Sequence, residues 1–140
     1  MTANPTPRGI RNNNPGNIDR TADRWQGMAE DQSGDPRFVV FSAPVWGLRA
    51  LAKVLLSYYR KRGLNTVESI IGRWAPHVEN DTSAYARAVA RAMNVAVRDE
   101  LNIEHPDVLA LLVEAIVQHE NGQQPYPPDL IAEAVRLALE

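Results

Sequence analysis

The chain has 140 residues, 44% apolar and 23% charged, and carries a formal net charge of −2. That size and balance suit one globular domain spanning 1–140, and the charge excludes bulk attraction to nucleic acid or an anionic membrane. The lack of cysteine excludes disulfides and thiolate chemistry, and no apolar run approaches the roughly 18 residues that cross a bilayer.

Residues 1 to 23 read as an ordered-to-irregular lead centred on the turn-rich Asn12-Asn13-Asn14-Pro15-Gly16-Asn17. Met1 to Arg11 lacks the apolar core of a secretory signal. The protein is therefore expected to be made in the cytoplasm and to reach any outside target by another route. Residues 24 to 42 read as a β-hairpin. Arg24–Met28 and Arg37–Phe41 are the β-prone runs, with Asp31-Gln32-Ser33-Gly34-Asp35-Pro36 as turn material between them.

From Pro44 the pattern becomes helical. Val45 to Arg62 carries Leu48, Leu51, Leu55 and Tyr58 or Tyr59 at helical spacing. Its close, Arg60-Lys61-Arg62-Gly63, suits the negative end of a helix dipole and a left-handed cap better than a nucleic-acid site. A helix from Thr66 to Trp74 follows, stopped by Pro76, then one capped by Asp81 or Thr82 and running to Met93. Pro106 opens a fourth that reaches about Asn121 before Gly122, and Asp129 to Leu139 forms the last. The expected class is α+β, mostly α, with about five helices and one small hairpin.

The fourth helix is the most informative. At about 100° per residue, Asp107, Glu114, Gln118 and Asn121 share a narrow polar arc, and Leu109, Leu112, Val113 and Ile116 a broad apolar one. Glu120 falls in the apolar arc, one turn after Ile116. Partial desolvation and the helix C-terminus both disfavour an ionised carboxylate there. A carboxylic acid that keeps its proton near neutral pH is what general-acid cleavage of a glycosidic bond requires. The bland alternative is a frayed helix end that leaves Glu120 in water. His119 lies toward the apolar side and reads as a packing residue. His77, His105 and His119 show no metal-ligand spacing, and nothing implies a cofactor.

Arg8-Gly9-Ile10-Arg11-Asn12-Asn13-Asn14-Pro15-Gly16-Asn17-Ile18 resembles the opening of phage virion-associated lysozyme-like proteins. So do Trp25-Gln26-Gly27-Met28, Arg73-Trp74-Ala75-Pro76, Glu79-Asn80-Asp81-Thr82 and His119-Glu120-Asn121-Gly122. A broader likeness is to flagellar-rod-type glucosaminidases and lytic transglycosylases, in which the helix ending in a catalytic Glu precedes the Asn-rich turn. Here the segment resembling that helix, Leu112 to Gly122, comes near the end instead, so the resemblance implies a circular permutation of the lysozyme-like core.

The resemblance also implies a muramidase or lytic transglycosylase with Glu120 as the acid, acting on peptidoglycan in the periplasmic cell wall. Delivery with the virion or release at lysis would bring it there, as a monomer or among other virion proteins. A second carboxylate is expected on the hairpin, from Asp31, Glu30 or Asp35, with Glu79 and Asp81 as other options. The hairpin acids read equally as ordinary turn residues, and Asp81 more economically as an N-cap. Asn13, Asn14, Asn17, Tyr85 and Tyr126 are the expected contacts to amino sugars, although backbone turn geometry explains the Asn run equally well. Trp46 and Trp74 read as packing residues, and Trp25 is open. The competing class is a non-catalytic virion component with the same fold.

Overall fold

The computed structural model describes residues 6–76 and 80–140, so His77 and Glu79 lie outside the described residues. Six helices run through it in chain order: α1 (Arg8–Arg11), α2 (Pro44–Arg62), α3 (Val67–Trp74), α4 (Thr82–Met93), α5 (Pro106–Asn121) and α6 (Pro128–Leu139). None of the described helices is long and apolar enough to cross a membrane.

The five longer helices begin where local chemistry dictates. Pro44, Pro106 and Pro128 occupy first helical positions, where the missing N–H costs nothing. Thr66 and Ser69 form a capping box on α3, and the Asp81 carboxylate accepts from the Ala84 N–H at the start of α4. The His105 ring caps α5 through Nδ1. Gly63 and Gly122 adopt left-handed conformations behind α2 and α5, and three exposed cations end α2. The four-residue α1 lies inside the lead, for which no helix was expected.

The main core lies among α2 to α6. Leu51, Leu55, Ile70, Ile71, Leu109, Leu112 and Ile116 are fully buried in it. α2 packs most extensively on α6, while α5 touches α1, α2, α4 and α6. The apolar arc of α5 is buried as its periodicity predicts. Asn121 departs from the polar arc: it is buried and its amide donates to the carbonyls of Pro15 and Val117.

The expected hairpin does not form a ladder. Two isolated antiparallel bridges, Asp19 with Phe38 and Met28 with Phe41, are the strand-like pairings among the described residues. Ala29 N–H to Val40 and Ser42 N–H to Gly27 link the two runs, and side chains take other backbone groups a ladder would use. The Gln32 amide bonds Ala29 and Val40, and the Asp35 carboxylate accepts from the N–H groups of Arg37 and Phe38. Val39 and Phe41 donate their N–H groups to Ile18 and Asn12 instead of to residues 24–28. This region encloses a small second core of Val39, Phe41 and Ala50, with Ile18, Trp25, Met28 and Trp46 packed against it.

Candidate active site

An open groove of about 570 Å³ separates residues 16–25 and 37–38 from α2 and the end of α3. Glu120 lies in its wall, together with Asn17, Trp25, Tyr58 and Trp74. Its size falls within the range of small-ligand sites.

The Asn-rich turn is built so that Asn17 reaches this wall. Asn13 and Asn17 both take left-handed conformations, with φ of 54° and 51°, which Asn tolerates better than most residues. Asn14 is fully buried. Its amide donates to the carbonyls of Ile18 and Val39 and accepts from the Ile18 N–H, which clamps the turn. Asn13 donates to the Phe41 carbonyl. The turn rests on α2 at Gly47, where any Cβ would overlap the Asn13 carbonyl oxygen. It also rests on the end of α5 through the Asn121 bond to Pro15, across 106 positions of sequence.

Glu120, half-buried one residue before the end of α5, is held at both oxygens. Asn17 Nδ2 donates to Oε1 at 3.1 Å, and the Tyr85 hydroxyl donates to Oε2 at 2.7 Å. The direction of the second bond is forced. Trp74 Nε1 can only donate, it does so to the Tyr85 hydroxyl at 3.1 Å, and the phenolic proton is left for Glu120. Burial, followed by the charge of Glu120, pushes the Tyr85 phenol far above its ordinary range, so it stays protonated as a donor. His119, expected toward the apolar side, is exposed and stacks on the Tyr85 ring at 3.8 Å between centroids.

Of the five expected sugar contacts, Asn17 alone lines the groove. Asn13 and Asn14 shape the turn behind it. Tyr85 is buried behind Glu120, and Tyr126 is buried in the main core. The hairpin acids also separate. Glu30 and Asp31 are exposed and are not groove-lining residues, and Asp31 caps the Ser33 N–H in a local turn. Asp35 is 1% exposed. Both its oxygens are committed to the Arg8 guanidinium at 2.5 and 2.6 Å, and Asn12 Nδ2 donates to it as well. Arg8 first, then the backbone N–H groups of Phe38 and Arg37 and the Asn12 amide, hold that carboxyl far below the usual range against the opposing pull of burial. Asp81 is the α4 cap.

The carboxylates that do share the groove with Glu120 are Asp19 and Asp23, neither of them singled out by sequence. Both sit in the lead before Trp25, a stretch with no periodicity to give its side chains a direction. Asp19 is paired with the Arg37 guanidinium at 2.7 Å. Trp74, expected to be packing alone, lines the groove and supports Tyr85. Among the described residues no three His, Asp or Glu side chains gather as a metal site.

The fold and site define a mainly α-helical protein in which the end of a core helix presents a carboxylate to a polar groove. The chain belongs to the family of Protein P5 of Pseudoalteromonas phage PM2, being 42% identical to it over 132 residues, 91% of this chain and 79% of that protein. No broader family model matches it.

Proposed function

We propose that the protein is a phage glycosidase that cleaves the glycan strands of bacterial peptidoglycan, with Glu120 as general acid. The observation that carries this reading is the doubly held Glu120 in the groove wall, clamped by Asn17 from one side and Tyr85 from the other. Two donors, one per oxygen, fix the plane of the carboxyl group and leave lone pairs available toward the groove. A proton carried there passes to the glycosidic oxygen as the bond to the anomeric carbon breaks. The oxocarbenium-like centre is then captured by water, or by a hydroxyl of the same sugar to give an anhydro ring. The incoming hydroxyl returns its proton to Glu120.

Trp25, Trp74 and Tyr58 offer aromatic faces for sugar rings. Asp19 and Asp23 are the carboxylates a hydrolytic route would draw on, whereas the transglycosylase route needs Glu120 alone. On this reading the order of elements, with the Asn-rich turn 103 positions ahead of the acid it contacts, is a circular permutation of the lysozyme-like core.

The test is clearing of purified peptidoglycan in a zymogram, with mass spectrometry of the released muropeptides. Wild type should clear, and Glu120→Gln should be slower by about 10²–10⁴-fold, the usual contribution of a general acid. A folded wild type that releases nothing would instead favour a non-catalytic virion component.

A further inference from the structure

Two buried amide oxygens behind the groove, Asn17 Oδ1 and Asn121 Oδ1, have no hydrogen-bond partner among the described residues. Both point to the same place. A Cβ built on Gly9 would meet Asn121 Oδ1 at 2.7 Å, Asn17 Oδ1 at 2.9 Å and the Asn14 carbonyl oxygen at 2.9 Å. Three acceptors therefore surround one point above Gly9; the Asn14 carbonyl takes the Asn17 backbone N–H and keeps a second lone pair, and the two amide oxygens are left unanswered, which is rare for buried polar groups. The donor that Asn121 Oδ1 lacks is within reach of the other half of the Asn17 amide, which in this orientation is turned toward Glu120.

The two ends of an amide are nearly isosteric, so a half-turn about the Asn17 side chain exchanges donor for acceptor in place. The turn would put Asn17 Nδ2 where Oδ1 now stands, beside the same point above Gly9 as Asn121 Oδ1 and the Asn14 carbonyl, and Asn17 Oδ1 opposite Glu120 Oε1. The first orientation suits an ionised Glu120, which can only accept. The second suits a protonated Glu120, whose O–H then has an acceptor. The Tyr85 hydroxyl cannot make the same exchange, because Trp74 Nε1 holds it in the donating sense. The added proton is thereby directed to Oε1 and away from Oε2.

We infer that Asn17 is a positioning residue whose side-chain amide rotates by half a turn as Glu120 gains and loses its proton, with Asn121 and Asn14 as the acceptors of the turned state. This rests on the reading of Glu120 as a proton carrier, and it explains why Gly9 stands beneath the amides, since a Cβ there would occupy the place the rotating group needs. The charged and titratable groups around the pair are Tyr85 of α4, Tyr58 of α2, and Asp19, Asp23 and Arg37 in the groove loops. Arg8 of α1 is committed to Asp35, and His119 stacks on the far partner Tyr85. None of them supplies the missing donor above Gly9.

The experiment is NMR on the intact chain labelled with ¹³C and ¹⁵N, following the Glu120 carboxyl carbon and the Asn17 side-chain amide as pH is lowered. The Asn17 NH₂ protons should lose their NOEs to the Glu120 side chain and gain NOEs to Gly9 Hα, with the midpoint of the Glu120 titration. In Glu120→Gln the substituted amide keeps an N–H toward Asn17 at every pH. That variant should therefore show the Gly9 NOEs throughout, with no pH response. Unchanged Asn17 NOEs across the Glu120 titration, or a Glu120→Gln spectrum matching the high-pH wild type, would overturn the inference. Because the readout is independent of glycan cleavage, an observed half-turn in a protein that clears no peptidoglycan would fault the proposed activity and leave the coupling intact.

Discussion

Between Pro44 and Leu139 the chain is held by apolar burial shared among many side chains, whereas residues 6–42 hang on a few amide and carboxylate side chains. In the helical part Leu51, Ile70, Leu112 and Ile116 are each fully buried, yet none organises the others. In the amino-terminal part, Asn14, Gln32 and Asp35 each satisfy several backbone groups of neighbouring segments. Loss of one such side chain strands buried donors or acceptors, which costs more than the bond itself returned. The groove is formed where the two parts meet, so its wall is a rigid helix end and its rim a polar loop set by a few contacts.

Three substitutions separate the two parts. Leu112→Ala should cost about 2–5 kcal/mol of unfolding free energy, as cavity-forming core substitutions do, and should leave the proposed glycan cleavage intact at temperatures well below the new midpoint. Chemical denaturation with a parallel activity assay checks both halves. Cleavage lost in proportion to stability would show that the groove does not persist independently of core packing. Gly47→Ala strikes the seam itself, because the added methyl overlaps the Asn13 carbonyl and must push the turn off α2. The expected cost is about 1–3 kcal/mol, with activity reduced more than stability because Asn17 moves with the turn. Thermal melts that equal wild type would sink the tight seam.

The smallest effect concerns acid. Asp35 titrates near 3.9 in an unfolded chain, and Arg8 holds it far lower in the folded one. Its stabilisation is thus fully present above about pH 5 and drains away as pH falls through 4 and below. Between pH 6 and pH 3 the melting temperature of wild type should fall more steeply than that of Asp35→Asn, the remaining carboxylates acting on both. Parallel slopes would mean that the Arg8 pair contributes nothing to the link between the two parts.

The division between the parts is also the division in what could be read from sequence. Helix limits were legible because caps are local: Pro44, Thr66, Asp81, Pro106, Gly63 and Gly122 act on backbone groups within a few residues of themselves. The buried arc of α5 was legible for the same reason, since a 3.6-residue period orients each side chain. Residues 24–42 misled because β-prone composition says nothing of competitors. Many carbonyls and N–H groups of that stretch were claimed by Gln32, Asp35, Asn12 and Ile18, the last two from another segment.

What the amino-acid order determined by itself was the helical scaffold and the placement of one acid at the end of its central helix. Tertiary structure alone decided that Asn17 and Tyr85 would take hold of that acid, that Asp35 would be locked to Arg8, and that Asp19 and Asp23 would face the groove. The physical reason is range. A cap or an apolar stripe is written within one or two turns of helix, but the bond from Asn17 to Glu120 spans 103 positions and exists only after the core has packed.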